Sequence, residues 1–198
     1  MTNCPSRFVR AKRSTALDRA RDGLRWKPLA AYIRAVLLPG LILGFHVTSA
    51  LAGPQGGKVV GGTGTIVRPD TTTTIINQHS HNLAIDWQKF NVKTNELVQF
   101  NQPGRNAQAL NRIFDQSASQ IHGRIKANGR VLLMNPNGVI FGPNAHVNVN
   151  GLVAAGMKNI PVDDFMAGKF KLEALDGADG VVINHGTLEA ATGGDITL

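Results

Sequence analysis

Short runs of alternating apolar residues, separated by Asn-Gly dipeptides, restrict the fold of this chain more than any other feature. Asn-Gly occurs at residues 128–129, 137–138 and 150–151, and the first and last dipeptides are 22 residues apart. Between them run RVLLMN, VIFG and HVNVN, whose period of two is typical of strands. A repeat of this length with several short strands favours a parallel β-solenoid, in which each turn, or rung, stacks on the last. The alternative is an antiparallel sandwich whose hairpins close at Asn-Gly, but the low charge of the strand positions favours the solenoid.

The same pattern covers most of the chain after residue 52, where no amphipathic helix of ordinary length is visible. Residues 53–90 lack the repeat, and we expect capping strands there, because the open end of a solenoid exposes unpaired backbone groups. Ala107–Phe114 could form a short helical turn or an irregular strand. An excursion from the repeat covers 157–179, and Val162–Gly168 within it could form one or two helical turns. The remaining predicted strands are Thr65–Val67, Thr72–Ile76, Leu83–Trp87, Glu96–Asn101, Gln120–Ile125, Arg130–Met134, Val139–Phe141, His146–Val149, Gly180–Ile183 and Thr187–Ala190.

The Asn-Pro-Asn-Gly tetrapeptide at residues 135–138 is the most informative of the turns. Pro136 presets φ for the second position of a tight turn, Asn135 suits the first position and Gly138 the fourth. Asn137 tolerates backbone φ and ψ angles in either the bridge region or the left-handed region. A strand of alternating apolar residues follows directly, so the tetrapeptide predicts a sharp reversal between two strands.

The beginning of the chain has the features of a secretory signal with a long basic n-region. The apolar run Ala35–Val47 is too short to span a membrane. Small residues, Ala50 and Ala52, then occupy the two positions that a signal peptidase reads. We therefore expect a signal peptide over residues 1–52, cleaved after Ala52, and one domain over residues 53–198. A short membrane anchor that is not cleaved is the alternative.

Removal of that segment changes the charge of the protein. The whole chain carries a formal charge of +8, but residues 1–52 account for +7 of it and residues 53–198 for +1. The predicted domain is nearly neutral, which argues against nucleic-acid binding. The single cysteine, Cys4, lies in the segment that would be removed. The exported part would thus have no disulfide and no thiolate metal site, and it could stay unfolded in an oxidising compartment without being crosslinked.

Three segments of the predicted domain form a recognisable set: IDWQKFNV, VQFNQPGRNAQALNRI and SQIHGRIKANGRVLLMNPNGVIFGPNAHVNVNGLVAAG. Together they resemble the N-terminal secretion domain of filamentous-haemagglutinin-like adhesins, the exported partners of two-partner secretion systems in Gram-negative bacteria. DDFMAGKFKLEA and GVVINHGTLEAATGG continue the resemblance in family order over roughly residues 60–198. The tetrapeptide at 135–138 resembles the signature motif of the family. A second motif of some members, Asn-Pro-Asn-Leu, has no clear counterpart; the nearest stretch is Asn101, Gln102, Pro103 and Gly104, which indicates the subgroup of high-molecular-weight adhesins.

The resemblance implies an all-β fold, a right-handed parallel β-helix with N-terminal capping strands. It also implies a function without catalysis or a cofactor: the domain addresses a large virulence-associated adhesin to a dedicated outer-membrane transporter. The transporter's periplasmic domains would bind the chain while it is extended, and the chain would fold at the cell surface, where it is retained or released. Asn135, Pro136, Asn137 and Gly138, and also residues 101–104, are the candidate recognition segments. Host or bacterial glycans are candidate ligands of the full-length protein.

Four other groups of residues have both a functional and a structural interpretation. His79 and His81, with Asp86 nearby, have a spacing that could chelate a metal, but they lack a third anchored ligand, and we expect no metal. Trp87 and Phe90 could form a sugar platform, although filling the space between cap and first rung is the better interpretation. A patch for acidic ligands could be formed by Arg105, Arg112, Arg124 and Arg130, but these residues are scattered. Asp163, Asp164, Asp176 and Asp179 are too dispersed for a β-helix lyase or hydrolase.

The last residues bear on whether the domain stands alone. The chain ends at Leu198 within the strand-like run GGDITL, with no capping segment. We therefore expect the solenoid to continue in a longer parent protein. A self-standing adhesive module is the alternative.

Overall fold

A computed structural model describes residues 53–169 and 180–198. The predicted signal peptide, with Ala50 and Ala52, lies outside the described residues, and the domain boundary at residue 52 stays a prediction. The described chain forms fifteen strands and one short helix, α1 (Val162–Met166). The strands are β1 (Lys58–Gly61), β2 (Gly64–Val67), β3 (Thr73–Gln78), β4 (Asn82–Trp87), β5 (Leu97–Asn101), β6 (Gln108–Ile113), β7 (Ser119–Ile121), β8 (Arg124–Ala127), β9 (Arg130–Met134), β10 (Val139–Phe141), β11 (His146–Val149), β12 (Gly151–Ala155), β13 (Val182–Asn184), β14 (Thr187–Ala190) and β15 (Ile196–Thr197).

These strands form a three-sided parallel β-solenoid. Sheet one has the order β2-β3-β5-β8-β11-β14, sheet two the order β1-β4-β6-β9-β12-β15, and sheet three the order β7-β10-β13. A rung passes through the three sheets in turn, and every pairing from β3 onward is parallel. The rungs stack in register, so that Thr73, Leu97, Arg124, His146 and Thr187 occupy one position in successive rungs. The parallel solenoid that the repeat predicted is confirmed, and the antiparallel sandwich is excluded.

The N-terminal cap is narrower than the sequence predicted. Among the described strands, β1 and β2 alone pair in the antiparallel sense, β1 with β4 and β2 with β3. An isolated antiparallel bridge joins Gln55 to Lys89 beside them. The strands β3 and β4 pair in parallel with β5 and β6, and they therefore form the first rung. The prediction that all of residues 53–90 form the cap was wrong, because the first rung has a polar, Thr-rich sequence that hides its repeat.

Most predicted strands are observed, and the differences have identifiable causes. Ala107–Phe114, left open between helix and strand, contains β6. The predicted strand Gln120–Ile125 is in fact two strands, β7 and β8, separated by a corner at His122 and Gly123. At Gly123 an added Cβ would lie 2.1 Å from the Lys93 carbonyl oxygen, so only glycine fits this bend. The apolar alternation continues through the corner and conceals it.

The interior of the solenoid is filled by large apolar side chains from the three sheets. Trp87 and Phe90 are buried in this interior, with ring centroids 5.4 Å apart at an interplanar angle of 84°. The Trp87 indole N–H donates to Asn111 Oδ1 at 3.0 Å, which satisfies a polar group within the core. A Cβ at Gly57, just before β1, would lie 2.4 Å from the Trp87 ring. As expected, the aromatic pair packs under the cap.

Sheet two is buried on both faces. The inward-facing residues of β4, β6, β9 and β12 belong to the interior core, while Ala84, Leu110, Leu132 and Val153 point outward and are also buried. Residues 157–169, which include α1 and are called the strap below, cover this outward stripe. Ile160 and Phe165 are the buried residues of the strap. The remaining part of the predicted excursion, residues 170–179, lies outside the described residues.

Candidate recognition segments at the solenoid corners

Residues 135–138 form the corner between sheets two and three in the third rung. The Gly138 N–H donates to the Asn135 carbonyl oxygen at 2.8 Å, and Asn135 Oδ1 accepts the N–H of Asn137 at 2.9 Å. Asn135 is completely buried. Its Nδ2 donates to the Ser117 carbonyl oxygen at 3.1 Å and to Ser119 Oγ at 3.0 Å. The asparagine side chain thus joins the turn to the corner of the preceding rung.

The following rung covers the same turn from the other side. Gly138 has a φ of +100°, and a Cβ there would lie 2.5 Å from the Val181 carbonyl oxygen. A Cβ at Gly180 would lie 2.4 Å from the Pro136 carbonyl oxygen. Glycine is therefore required at position 138 both for its backbone conformation and for the close approach of the next rung.

Only one of the four motif side chains is exposed once the rungs have stacked. Asn135 and Gly138 are buried, Pro136 is partly buried, and Asn137 is exposed. The Asn137 side chain donates from Nδ2 to the Asp115 carbonyl oxygen at 2.7 Å. A partner could contact the full motif only while the corner is open.

Residues 101–104 form a different corner, between sheets one and two in the second rung. Asn101 is exposed at the end of β5, and its Nδ2 donates to Asn77 Oδ1 at 2.9 Å. Pro103 is also exposed, and a Cβ at Gly104 would contact nothing within 4 Å. The two candidate segments lie at different corners, so the fold does not join them into one site.

Gln102 is a structural residue within that second segment. Its side chain is buried, and Nε2 lies 3.0 Å from Gln78 Oε1, 3.2 Å from the Ala107 carbonyl oxygen and 3.2 Å from the Arg130 carbonyl oxygen. The Asn128 amide bonds both the N–H and the carbonyl oxygen of Gln102, each at 2.7 Å. Gln78, Gln102 and Asn128 are called the corner ladder below. It holds three successive rungs together in the way that stacked amide side chains do in other parallel β structures.

The sequence contained a signal for these buried polar residues that the turn analysis missed. Gln78 and Gln102, Asn77 and Asn101, and Trp87 and Asn111 are each bonded pairs of side chains 24 residues apart. A search for polar residues at the rung spacing would have found them. The spacing of the Asn-Gly dipeptides, which begin at residue 128, indicated the length of a later rung only. It gave no sign of the earlier rungs.

The two histidines that were considered as metal ligands lie outside the strands. His79 and His81 lie in the loop between β3 and β4, and both are exposed. Asp86 forms a bidentate pair with Arg112, at 2.7 Å to Nε and 2.8 Å to Nη2. Within residues 53–169 and 180–198, no group of three His, Cys, Asp or Glu residues could hold a metal ion.

The four arginines named above do not converge. Arg130 pairs with Asp195 at 2.7 Å, and Arg105 donates to the Thr192 carbonyl oxygen at 2.8 Å. Arg112 pairs with Asp86 and lies 5.6 Å from the centre of the Phe114 ring. Arg124 is exposed on sheet one. Each arginine thus has its own local surroundings, and they form no common anion site.

The carboxylates do not form a catalytic pair on one rung in the part of the chain that the structure describes. Asp163 and Asp164 are exposed in the first turn of α1, while Asp176 and Asp179 lie outside the described residues. None of the helices described here is long and apolar enough to cross a membrane.

Comparison with known proteins identifies the relatives of this arrangement. The family model of the TPS secretion domain matches residues 51–198. Two heme/hemopexin-binding proteins of Haemophilus influenzae are similar: one is 45% identical over 101 residues, 51% of this chain and 11% of the relative. The other, from strain KW20, is 38% identical over 143 residues, 69% of this chain and 16% of the relative. The crystal structure of the HMW1 secretion domain from the same species superimposes with a TM-score of 0.58 at 36% identity, covering 68% of this chain and 36% of that one.

Proposed function

This chain belongs to the family of TPS secretion domains, and from that membership we propose that a transporter recognises its Asn135–Gly138 corner before the corner closes. The domain directs export of a large adhesin-like protein through the outer membrane, and the family implies an outer-membrane transporter of the two-partner system as its partner. We further propose that the periplasmic domains of that transporter bind the extended chain and that folding follows outside. The observation that carries this proposal is the burial of Asn135 and Gly138 between neighbouring rungs.

Recognition of an extended segment fits the chemistry of the motif. An extended chain can add to an exposed sheet edge through main-chain hydrogen bonds, and its side chains then determine specificity. In the folded rung these same groups are used by the chain itself: the Asn135 carbonyl and side chain accept from Gly138 and Asn137. Folding and recognition therefore compete for the same hydrogen bonds, and completion of the rung would displace the transporter.

Binding to the purified periplasmic domains of the transporter tests this proposal. Three forms of the protein are compared in this assay: the folded chain, the same chain freshly diluted from urea, and a linear peptide of residues 130–145. We expect the diluted chain and the peptide to bind, and the folded chain to bind at least about tenfold more weakly. A peptide with Asn135 and Asn137 both replaced by alanine is the control and should lose binding. Equal binding of the folded and unfolded chains would exclude recognition before folding.

Residues 101–104 are proposed as a second contact only through their exposed members. Gln102 is occupied within the corner ladder, but Asn101 and Pro103 are accessible. An Asn101→Ala/Pro103→Ala variant should secrete less in a transporter-dependent assay while its stability is nearly unchanged. Wild-type secretion by this variant would restrict recognition to the other corner.

The signal peptide and the final location of the protein are proposed from the sequence. We infer that residues 1–52 direct passage to the periplasm and are cleaved after Ala52, and that the product becomes secreted or surface-bound. An intact mass that begins at Gly53 in the medium or at the cell surface is the expected result. A mature chain that still contains Ala50 would exclude this cleavage site.

Glycan contact is a second candidate function, favoured by one surface feature. An open groove of about 570 Å³ on sheet one is lined by Gln99, Asn101, Lys126 and Asn148, among others. Amide and ammonium groups are suitable partners for sugar hydroxyls and carboxylates. Binding to immobilised neutral and acidic glycans, compared between the wild type and Lys126→Ala, tests this candidate. If no glycan binds, this candidate function is rejected for the domain, and any adhesion belongs to the remainder of the parent protein.

A further inference from the structure

Every methionine after residue 52 lies in the same cluster, on the outer face of sheet two. Met134 is at the end of β9, and Met157 and Met166 are in the strap. Met134 is completely buried, whereas Met157 and Met166 are partly exposed at the edge of the cluster. The interior core of the solenoid, by contrast, contains no methionine among the described residues. The concentration of thioethers at the junction between strap and sheet suggests a role for them there.

The strap is attached to the sheet mainly by apolar contacts. Phe165 and Ile160 are buried against sheet two, and the Val162 and Met166 side chains rest on Gly61 of β1. A Cβ at Gly61 would lie 2.8 Å from Val162 Cγ1 and 3.1 Å from Met166 Sδ. Glycine at this position thus makes room for the two strap side chains, and Met166 fits closely against the backbone of β1.

The polar contacts of the strap are long. Arg112 Nη1 lies 3.3 Å from the Ile160 carbonyl oxygen, Asn159 Nδ2 lies 3.4 Å from the Ile113 carbonyl oxygen, and Asn82 Nδ2 lies 3.4 Å from the Phe165 carbonyl oxygen. The Oδ1 atoms of Asn82 and Asn159 are buried there without a hydrogen-bond partner. Because these hydrogen bonds are near the limit of an effective distance, apolar packing, including that of the methionines, is what mainly holds the strap in place.

We propose that Met157 and Met166 are sites of reversible oxidation and that their sulfoxides release the strap from sheet two. The oxidant is a peroxide or a hypohalous acid outside the cell. With hydrogen peroxide, the thioether sulfur attacks one oxygen, an S–O bond forms and the O–O bond breaks. The sulfur is oxidised by two electrons, the second oxygen leaves as hydroxide, and the proton on the transferred oxygen passes to that hydroxide, which departs as water. The product is a polar, chiral sulfoxide, which packs poorly where Met166 contacts Gly61 and Val162.

Release of the strap would change the surface of the protein. The strap residues Ile160 and Phe165 pack over the outward stripe formed by Ala84, Leu110, Leu132 and Val153. An uncovered apolar stripe on a sheet is an adhesive surface for other apolar groups. With no cysteine after residue 52, methionine is the only sulfur-containing residue through which this domain can respond to an oxidant.

Limited proteolysis of the purified chain tests the proposal, because two trypsin sites lie in the strap. Lys158 and Lys169 are exposed near its two ends. The chain is treated with hydrogen peroxide, the sulfoxides are located by peptide mass spectrometry, and the rates of cleavage after both lysines are measured. We expect Met157 and Met166 to be oxidised before Met134, with cleavage about tenfold faster as a buried polar group weakens docking. Methionine sulfoxide reductases should restore the original rate.

The matched control is a Met157→Leu/Met166→Leu variant, which keeps the size and apolarity of both side chains. Its strap should remain as resistant to trypsin after peroxide as before. An equal increase in cleavage in this variant would overturn the proposal, as would oxidation of the wild type without any change in cleavage. Oxidation of Met134 at the same rate as the other two would also overturn it, since it would indicate general unfolding. If the variant does not fold, the reductase treatment of the oxidised wild type decides. A return to the original rate of cleavage supports the proposal, and an unchanged fast rate overturns it.

Discussion

Asn135 shows how one side chain can connect three parts of the chain. Its Oδ1 accepts from the Asn137 N–H, while its Nδ2 donates to Ser117 and Ser119 in the preceding rung. The asparagine amide carries two N–H donors and an oxygen acceptor on a short side chain, and this arrangement serves all three contacts. The identity of residue 135 is therefore explained by the folded structure alone, without any partner. Asn137, in contrast, is exposed and makes one side-chain hydrogen bond.

The first prediction separates these two asparagines. Asn135→Ala leaves the partly buried Asn137 N–H and Ser117 carbonyl oxygen, and the buried Ser119 hydroxyl, without their partner. It should lower the free energy of unfolding by about 2–3 kcal/mol. Asn137→Ala should cost less than about 1 kcal/mol, because its lost partner is accessible to water. Urea denaturation of the two purified variants measures the difference. Similar losses for both variants would contradict the assignment of Asn135 as the structural member.

A second prediction concerns pH and the loop between β2 and β3. Asp70 Oδ1 accepts the N–H of Thr72 at 2.7 Å and its hydroxyl at 2.8 Å. The backbone hydrogen bond first, and then the hydroxyl, lower the pKa of the Asp70 carboxyl below its ordinary value of 3.8. Since the pKa is lower in the folded state, the stabilisation is present above 3.8 and is lost as pH falls through the folded pKa.

Thermal unfolding between pH 6 and pH 2 measures this effect. Asp70→Asn keeps an oxygen acceptor but does not titrate, so its Tm should fall less with acid than the Tm of the wild type. The effect is small because the carboxyl is exposed. Parallel Tm profiles for the two proteins would show that Asp70 does not contribute to acid sensitivity.

At the scale of elements, four strands have the bounds that the sequence predicted. Arg130–Met134, Val139–Phe141, His146–Val149 and Thr187–Ala190 coincide with observed strands, and Val139 and Phe141 face inward. β12 was missed: the strap covers its outer face, as it covers that of β9, and its sequence, GLVAA, has no polar residue that would mark an alternation. A contact between distant segments determined that pattern, and a local pattern of residues cannot report it.

The corner ladder shows the same limitation for the candidate site. The turn residues around position 102 were recognised, but the sequence pattern placed Gln102 among the recognition candidates. In the fold, its neighbours Gln78 and Arg130 come from two other rungs. Only the register of the rungs explains why a glutamine occupies position 102. The same register explains the burial of Asn135, which the local turn chemistry left open.

A third prediction tests the ladder. Gln102→Leu retains approximate volume but leaves Gln78 Oε1 without its donor and removes one donor each from the Ala107 and Arg130 carbonyl oxygens. The Ala107 oxygen still accepts the Arg130 N–H, so the free energy of unfolding should fall by about 1–3 kcal/mol. Gln99→Leu, at a partly exposed position of β5, the strand that leads into this corner, should change it by less than about 1 kcal/mol. Denaturation midpoints of the two variants supply the comparison. A stable Gln102→Leu protein would mean that apolar packing alone holds this corner.

At the scale of the whole molecule, nearly every stabilising contact joins residues far apart in the chain. The parallel pairings connect each strand with one in the next rung. Such non-local topologies fold slowly, since chain closure must precede the contacts that reward it. The absence of cysteine after residue 52 also means that nothing covalent fixes a rung before export. Both properties suit the passage in the extended form that is proposed above.

A fourth prediction introduces such a crosslink. Asn77 and Asn101 are partners in the register of β3 and β5, with their side-chain amides 2.9 Å apart. Neighbouring strands are about 4.8 Å apart, which lies within the range that a disulfide can bridge. Asn77→Cys/Asn101→Cys should therefore close a rung in the oxidising periplasm and reduce secretion by about tenfold. The single variants are the controls, and a reductant in the medium should restore secretion. Normal release of the crosslinked chain would exclude passage in the extended form.

Stacking of the rungs has a mechanical consequence for the export of this chain. Equivalent positions in the first two rungs are 24 residues apart, and a fully extended segment of that length measures about 80 Å. When it folds, the solenoid lengthens by only one strand spacing, about 4.8 Å. On the proposal that the chain crosses in the extended form, each rung completed outside the cell withdraws extended chain about seventeen times longer than the distance by which the folded part grows. The free energy of one rung would then act over that long displacement as a weak but sustained traction on the remaining chain.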